Sequence, residues 1–340
     1  MMTELQAAHQ RGLVSFPSTT TVGEWLDIWL GRRKPHVSVS TYEQYVFHSR
    51  HIPQQLRRLK LQELKRSHVR ELVAKLVEKG LSASSRSKVL SHLRSALDAA
   101  LEEELLVVNP AQGVRAVKTA AERSMRKRKA LTIDELGAFL IAAEGDTLYP
   151  LFYTMFSLGL RRGEVLGLRW QDLNLDTGEV RVEQQVKLEA NRAVVGPLKT
   201  VNSRRRLYSS PDLLDTLRGI QREQITAQLL AGLAWTQTDL VFTTGIGTPI
   251  HPRNVNRAIY AICDASGLRR FSSHTARHTH ITQRLRNGEK LEIVSAVAGH
   301  ATPSITIDIY RSVLEDEKRL AVFSLRDQLA PITPTKEKDQ

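Results

Sequence analysis

Cysteine occurs once, at Cys263, in 340 residues. That excludes an intrachain disulfide framework and a cysteine-rich zinc site. It fits a reducing compartment, so the expected location is the cytoplasm. Aromatic residues are scarce at 6%, and no apolar run approaches the roughly 18–20 residues that span a bilayer. The stretch from Met1 to Ser18 lacks the continuous apolar segment of a signal peptide. An anchor lying on a membrane surface would need a basic helix with a strong aromatic face, which this composition does not supply. No membrane partner is expected. Acidic side chains are the remaining shortage: 36 Asp+Glu stand against 49 Lys+Arg, a formal net charge of +13.

That shortage is uneven. Residues 1–129 carry 23 basic and 12 acidic side chains, whereas residues 130–340 carry 26 and 24. Nearly all the excess lies in the first third. At roughly 100–200 residues per domain, the length suggests two domains. With 41% hydrophobic residues, each has enough apolar material for a core. A strongly basic chain expects an anionic partner, nucleic acid before membrane.

Helix signals dominate the first region. Thr21-Val-Gly-Glu24 and Ser40-Thr-Tyr-Glu43 have capping-box spacing. Ser67 precedes Val69, Leu72, Val73 and Leu76, a helical stripe that Gly80 stops. Val89, Leu93, Ala96, Leu97, Ala100 and Leu101 mark a longer fourth helix, and Asn109-Pro110 closes the segment. Arg86, Lys88 and Arg94 lie on that helix, away from much of its stripe. Read alone, they fit a solvated face as well as a phosphate-tracking one; the regional charge favours DNA. Residues 118–129 read as a basic linker ending in Arg126, Lys127, Arg128 and Lys129, further candidates for DNA contact. Twelve extended residues reach about 40 Å, enough to let two domains address different sides of a duplex. The same basic run also fits a nuclear localisation signal.

Thr132-Ile-Asp-Glu135 opens the second domain with another capping box. Helices are expected near 133–143 and 148–158. Val180, Val182, Val186 and Leu188 then alternate as in a strand. Residues 189–192 turn it into a second strand toward Lys199, and helices return from Pro211. The fold class is therefore mainly α: an all-helical N-terminal domain, then a mostly α domain with a small antiparallel sheet. The expected divisions are a lead-in at 1–20, the helical domain at 21–117, the linker at 118–129, the second domain at 130–325 and a tail at 326–340.

Three clusters carry chemistry. In His274-Thr-Ala-Arg-His278, a helix puts His274 and Arg277 on one face, joining a proton-transfer group to a permanent planar cation. That pair suits a phosphate oxyanion, although exposed His and Arg at this spacing are common. His274 and His278 also have the spacing of a zinc pair, but the glutamate of the HExxH pattern is absent. No metal is expected. Arg161, in Gly159-Leu-Arg-Arg-Gly-Glu164, falls at a helix junction where backbone amides and a guanidinium can face one anion, with Glu164 close enough to orient it. Last comes Gly299-His300, followed by Tyr310.

In this order the pieces resemble the tyrosine recombinase, or phage integrase, family. Its pattern is a first Arg box, a lysine on a β-hairpin, a His-x-x-Arg box, a Gly-His and a tyrosine about ten residues on. Here these are Arg161, Lys199, His274 with Arg277, His300 and Tyr310. The match spans about residues 130–325, and the helical first region corresponds to the family's SAM-like core-DNA-binding domain. Ala298 and Ala276 stand where the family usually has Leu. About 20 residues precede the first helix, so a full arm-site domain is not expected.

The resemblance implies a site-specific recombinase that cuts and rejoins DNA through a 3′-phosphotyrosine and a Holliday junction. Arg161 and Arg277 would clamp the phosphate, His274 would serve as base, Lys199 would protonate the leaving 5′ oxygen, and His300 would bind the phosphate. Tyr310 would attack, and Glu164 would support Arg161. Lys187 is the competing hairpin lysine. No cofactor is implied, because the phosphotyrosine conserves the bond energy. The implied partners are double-stranded DNA bearing recombination sites and three further copies in a tetramer, with accessory DNA-bending proteins also open. The alternatives are a non-catalytic DNA-binding protein of the same fold and a type IB topoisomerase.

Overall fold

The computed structural model describes residues 19–124, 130–198, 203–299, 306, 307 and 309. The chain divides into two compact units, Met1–Lys127 and Arg128–Gln340.

The N-terminal unit is helical. Helix α1 (Val22–Arg33) starts at Thr21, whose side chain accepts from the Glu24 amide while Glu24 takes the Thr21 amide in return. Helix α2 (Val39–Ser49) is capped by Ser38 rather than Ser40, so it begins earlier than its sequence signal. Helix α3 (Arg66–Glu78) likewise begins before Ser67, and α4 (Ala83–Glu102) is capped by Ser82. Their apolar stripes meet in one core that includes Trp25, Leu26, Leu72, Leu76, Leu93 and Leu97. The Trp25 indole N–H donates to the Ala96 carbonyl at 2.6 Å, satisfying the polar edge of a buried ring.

Residues 118–129, expected to be a linker, are anchored at their start. Ala120–Ser124 forms a short helix, and Glu122 accepts from Arg86 at 2.7 Å and from the Ala83 amide at 2.7 Å. Arg86 also donates to the Val117 carbonyl at 3.0 Å and is only 1% exposed. Burial and the bonds of both its terminal nitrogens make Arg86 an internal tie rather than a phosphate-tracking residue. Arg94 is half-buried and donates to the carbonyls of Ala111 and Val114. Lys88 alone of the three is exposed.

The C-terminal unit begins with α5 (Ile133–Ala143) and α6 (Tyr149–Leu158), the first capped by the Thr132–Glu135 box. Phe139 stacks edge-on against Phe152 and Phe271 at the centre of its core. After the five-residue α7 (Arg162–Leu166) come β1 (Glu179–Val182), β2 (Gln184–Glu189), β3 (Arg192–Pro197) and β4 (Arg205–Tyr208). The alternation over 180–188 is thus two strands, broken at Glu183, with different partners. β2 pairs antiparallel with β3 across the Ala190-Asn191 turn, while β1 pairs with β4. Positive φ at both turn residues gives the turn the twist that a tight hairpin needs. Helices α8 (Pro211–Ala231), α9 (Pro252–Ala265), α10 (Ser273–Arg286) and α11 (Leu291–Ala298) follow. Ile281, Leu285, Val294, Ala298 and Ile309 form a separate apolar cluster under α10 and α11.

Among the described residues, no helix is long and apolar enough to cross a membrane.

Candidate active site

Helix α6 stops at Gly159, whose φ of +63° lies in the left-handed region that glycine enters at little cost. Two residues later Arg161 is extended and caps α7. Glu164 closes that turn by accepting from the Arg161 amide at 3.0 Å and from Arg161 Nη1 at 2.6 Å. Helix α7 then lies directly on β2. A methyl group at Gly163 would come within 2.8 Å of the Val186 carbonyl oxygen, and one at Gly167 within 2.7 Å of Gln185 Cα. The two glycines therefore let the Arg161 turn approach the hairpin.

Glu164 is 1% exposed and holds a second arginine, accepting from Arg205 Nη2 at 2.8 Å. Burial pushes its carboxyl up, but Arg205 and then Arg161 outweigh burial and hold it below the usual value. At neutral pH it is thus an anion between two cations.

Arg277 comes from the second turn of α10 and is 1% exposed. It donates Nη1 to the Gly159 carbonyl at 3.0 Å and Nη2 to the Ala298 carbonyl. Burial, then repulsion by Arg161, pushes its pKa down to about 9, which still leaves it charged at neutral pH. Arg161 Nη2 reaches the Gly299 carbonyl at 3.0 Å, and Arg205 Nε reaches that of Val297 at 2.7 Å. The structure therefore gathers Arg161, Glu164 and Arg277 around the end of α11. Clustered guanidinium groups of this kind, with one buried counter-ion, suit a doubly or singly charged oxyanion.

His274 sits in the first turn of α10, exposed, with its ring edge-on to His278 at 4.7 Å between centroids. Lys187 pairs with Glu189 on its own strand at 2.8 Å. Lys199, His300, Tyr310, Arg126, Lys127, Arg128 and Lys129 lie outside the described residues. Among the described residues, no group of three or more His, Cys, Asp or Glu could hold a metal ion.

Two features escape a reading of the sequence. Arg205 is one of three consecutive arginines, and only the burial of its side chain, 7% exposed, separates it from Arg204 and Arg206 at 66% and 71%. The other is an open hollow lined by Arg162, Arg253, Asn256, Arg257, Tyr260 and Arg270. Its sequence signal is Arg253 and Arg257 at i, i+4 on the polar face of α9.

The profile of the phage integrase family matches residues 129–317, the span that holds this cluster. The chain belongs to the phage integrase family. This is the family of tyrosine-type site-specific recombinases. The family's N-terminal SAM-like domain matches residues 24–104, within the helical unit. The chain is 28% identical to a XerC-like tyrosine recombinase of Caldanaerobacter subterraneus subsp. tengcongensis, over 90% of this chain and 83% of the relative. It is 26% identical to the ICEBs1 integrase of Bacillus subtilis, over 84% and 77%. Among solved structures, the Tn1549 transposon integrase in complex with a circular intermediate DNA shares the fold with a TM-score of 0.76. That likeness is at 18% identity and covers 89% of this chain and all of that one. A lambda integrase tetramer bound to a Holliday junction gives 0.63 at 19% identity, over 89% and 80%. This integrase-family chain thus has the mainly helical fold, with a small antiparallel sheet, that its sequence implied.

Proposed function

We propose that the chain is a site-specific DNA recombinase that cuts and rejoins strands through a 3′-phosphotyrosine at Tyr310. The observation that supports this most is the gathering of Arg161 and Arg277 around the end of α11, immediately before the Gly299-His300 step. In-line attack on a phosphodiester builds negative charge on the non-bridging oxygens. Two guanidinium forks can compensate that charge with paired hydrogen bonds. A free tyrosine phenol has a pKa of about 10, so the proton of Tyr310 must leave as it attacks. His274 accepts that proton. The Tyr310 oxygen bonds to phosphorus, the bond to the 5′ oxygen breaks, and Lys199 protonates the departing oxygen. His300 hydrogen-bonds the phosphate. Rejoining reverses the sequence with a new 5′ hydroxyl. Because the ester energy stays in the phosphotyrosine, neither ATP nor a divalent cation enters the balance.

The reading extends to assembly. Two duplexes exchange four strands, which requires four such sites and hence a tetramer on DNA. The tetrameric lambda integrase on a Holliday junction supports that stoichiometry for a protein of this fold. The exposed arginines of α9 and the exposed Lys88 would meet backbone phosphates, which fix register rather than sequence.

A nicked half-site substrate tests the reading, because the cut fragment diffuses away and traps the intermediate. The wild-type chain should form a denaturation-resistant adduct in the presence of EDTA. Tyr310→Phe should bind the same DNA and form none. An adduct made by Tyr310→Phe would overturn the assignment of the nucleophile, and loss of cleavage in EDTA would point to a metal nuclease. Relaxation of supercoiled DNA lacking paired sites would favour a topoisomerase instead.

A further inference from the structure

Three arginines cap three successive carbonyls at the end of α11. Arg205 Nε takes Val297, Arg277 Nη2 takes Ala298, and Arg161 Nη2 takes Gly299. A helix C-terminus leaves such carbonyls unsatisfied and carries about half a negative charge, so the match is electrostatic as well as geometric. Arg161 and Arg277 have roles in the proposed chemistry. Arg205 has none there, yet it is the most fully engaged of the three. Besides Val297, it donates Nη1 to the Ser203 carbonyl at 2.9 Å and Nη2 to Glu164 Oε2 at 2.8 Å. Each of its three nitrogens has a protein acceptor, and its side chain is 7% exposed. The space where a Gly299 side chain would begin is filled by its Cδ and Nη1, at 3.1 and 3.2 Å.

We propose that Arg205 is a positioning residue for strand cleavage, setting both the aim of Arg161 and the end of α11 from which the chain runs into His300. This rests on the strand-transfer reading above. The physical basis is a set of shared acceptors. Glu164 Oε1 takes Arg161 Nη1, while Oε2 is divided between the Arg161 amide and Arg205. With Arg205 removed, Oε2 becomes available to the Arg161 fork. A bidentate pair with Glu164 would then turn that fork away from a phosphate. The Val297 carbonyl would lose its donor at the same time, loosening the turn that carries Gly299. A lysine cannot replace this arginine, because a single ammonium cannot span Val297 and Glu164 in the fixed plane of a guanidinium.

The test is single-turnover cleavage of a nicked half-site at saturating DNA, with the full-length chain and its Arg205→Lys and Arg205→Gln variants. Arg205→Lys keeps a cation beside buried Glu164, which protects folding. Its adduct should form about 10²-fold more slowly, the scale of a small misplacement of a reacting group, with half-site affinity within about 2-fold. Arg205→Gln should show a further sign. Glu164 would keep only Arg161 and Arg277 as facing cations, so the rate of this variant should fall below that of Arg205→Lys while half-site affinity stays within about 2-fold. A purely structural role would lower the fraction of chains that react, not the rate of those that do. Unchanged rates with reduced amplitudes, or affinity lost in step with rate, would overturn the proposal. A wild-type chain that forms no adduct overturns the strand-transfer reading itself; a wild-type adduct matched by both variants overturns only the role of Arg205.

Discussion

Arg277 Nη1 meets the Gly159 carbonyl oxygen at 3.0 Å across 118 residues of sequence. One bond therefore ties the helix bearing the second arginine to the turn that presents the first. It also makes Arg277→Lys an informative change. Lysine keeps the charge but can address only one direction at a time, so it cannot hold both carbonyls and offer paired donors to a phosphate. Half-site binding should change by a few-fold at most, whereas the single-turnover cleavage rate should fall about 10²–10³-fold. Equal rates for the two proteins would remove Arg277 from the phosphate site.

Gly159 is constrained twice over. Its φ is +63°, and an added methyl group would stand 2.5 Å from Cδ2 of His280. His280 is itself fixed by a 3.0 Å contact between its Nδ1 and the Phe156 carbonyl. Gly159→Ala should cost about 2–5 kcal/mol in denaturant unfolding, from left-handed strain of about 1–2 kcal/mol and overpacking of about 1–3 kcal/mol. Adding His280→Ala removes the clash but not the backbone strain. The double variant should therefore regain only a fraction of the loss that remains after its own cavity is counted. Wild-type stability in Gly159→Ala would contradict the packing described.

Much of this arrangement was legible in the sequence because local signals carried it. Thr132 and Glu135 announced α5, Gly159 announced the end of α6, and Arg161 fell at the helix junction its neighbours implied. The misses have a common cause: they depend on contacts between distant segments. The strand Arg205–Tyr208 is only four residues long and pairs with β1, not with its sequence neighbour β3. No periodicity over so short a span could reveal that. Arg86 resembles a member of a basic surface because its partner, Glu122, is 36 residues away, in a stretch whose composition reads as linker. Charge counts measure a side chain's sign, not whether a carboxylate already holds it.

That distinction separates two basic residues on the same helix. Removing Arg86 leaves Glu122 without the cation that, first among its partners, holds its pKa down to about 2. The Leu81 and Val117 carbonyls lose their donor as well. Arg86→Ala should move the unfolding transition of the N-terminal unit to lower denaturant, because three acceptors lose their donor at once, and reduce DNA binding only through unfolding. Lys88 is exposed. Lys88→Ala should leave the unfolding curve in place and lower the slope of log affinity against log salt by about 1, the signature of one lost phosphate contact. The opposite assignment of the two effects would show that the surface reading of Arg86 was right after all.

The aromatic cluster of the N-terminal unit makes the last prediction, and it concerns pH. His92 is 3% exposed, packs at 5.1 Å from Trp29 and 5.5 Å from Tyr45, and has no hydrogen-bond partner at either ring nitrogen. Burial, then the nearby His48, pushes its pKa down to about 4. Unfolded, it returns to the ordinary value near 6.5. The folded state therefore binds fewer protons than the unfolded state between those values. The stabilisation is complete above about pH 6.5 and is lost as pH falls toward 4, at up to about 1.4 kcal/mol per unit for this one group. Hydrogen exchange of the α4 amides at about pH 5 and about pH 7.5, on either side of the ordinary histidine value, reads this locally in the intact chain. His92→Phe keeps the ring contacts and removes the titration, so it should flatten the dependence. A slope that survives unchanged in His92→Phe would place the proton uptake at another residue.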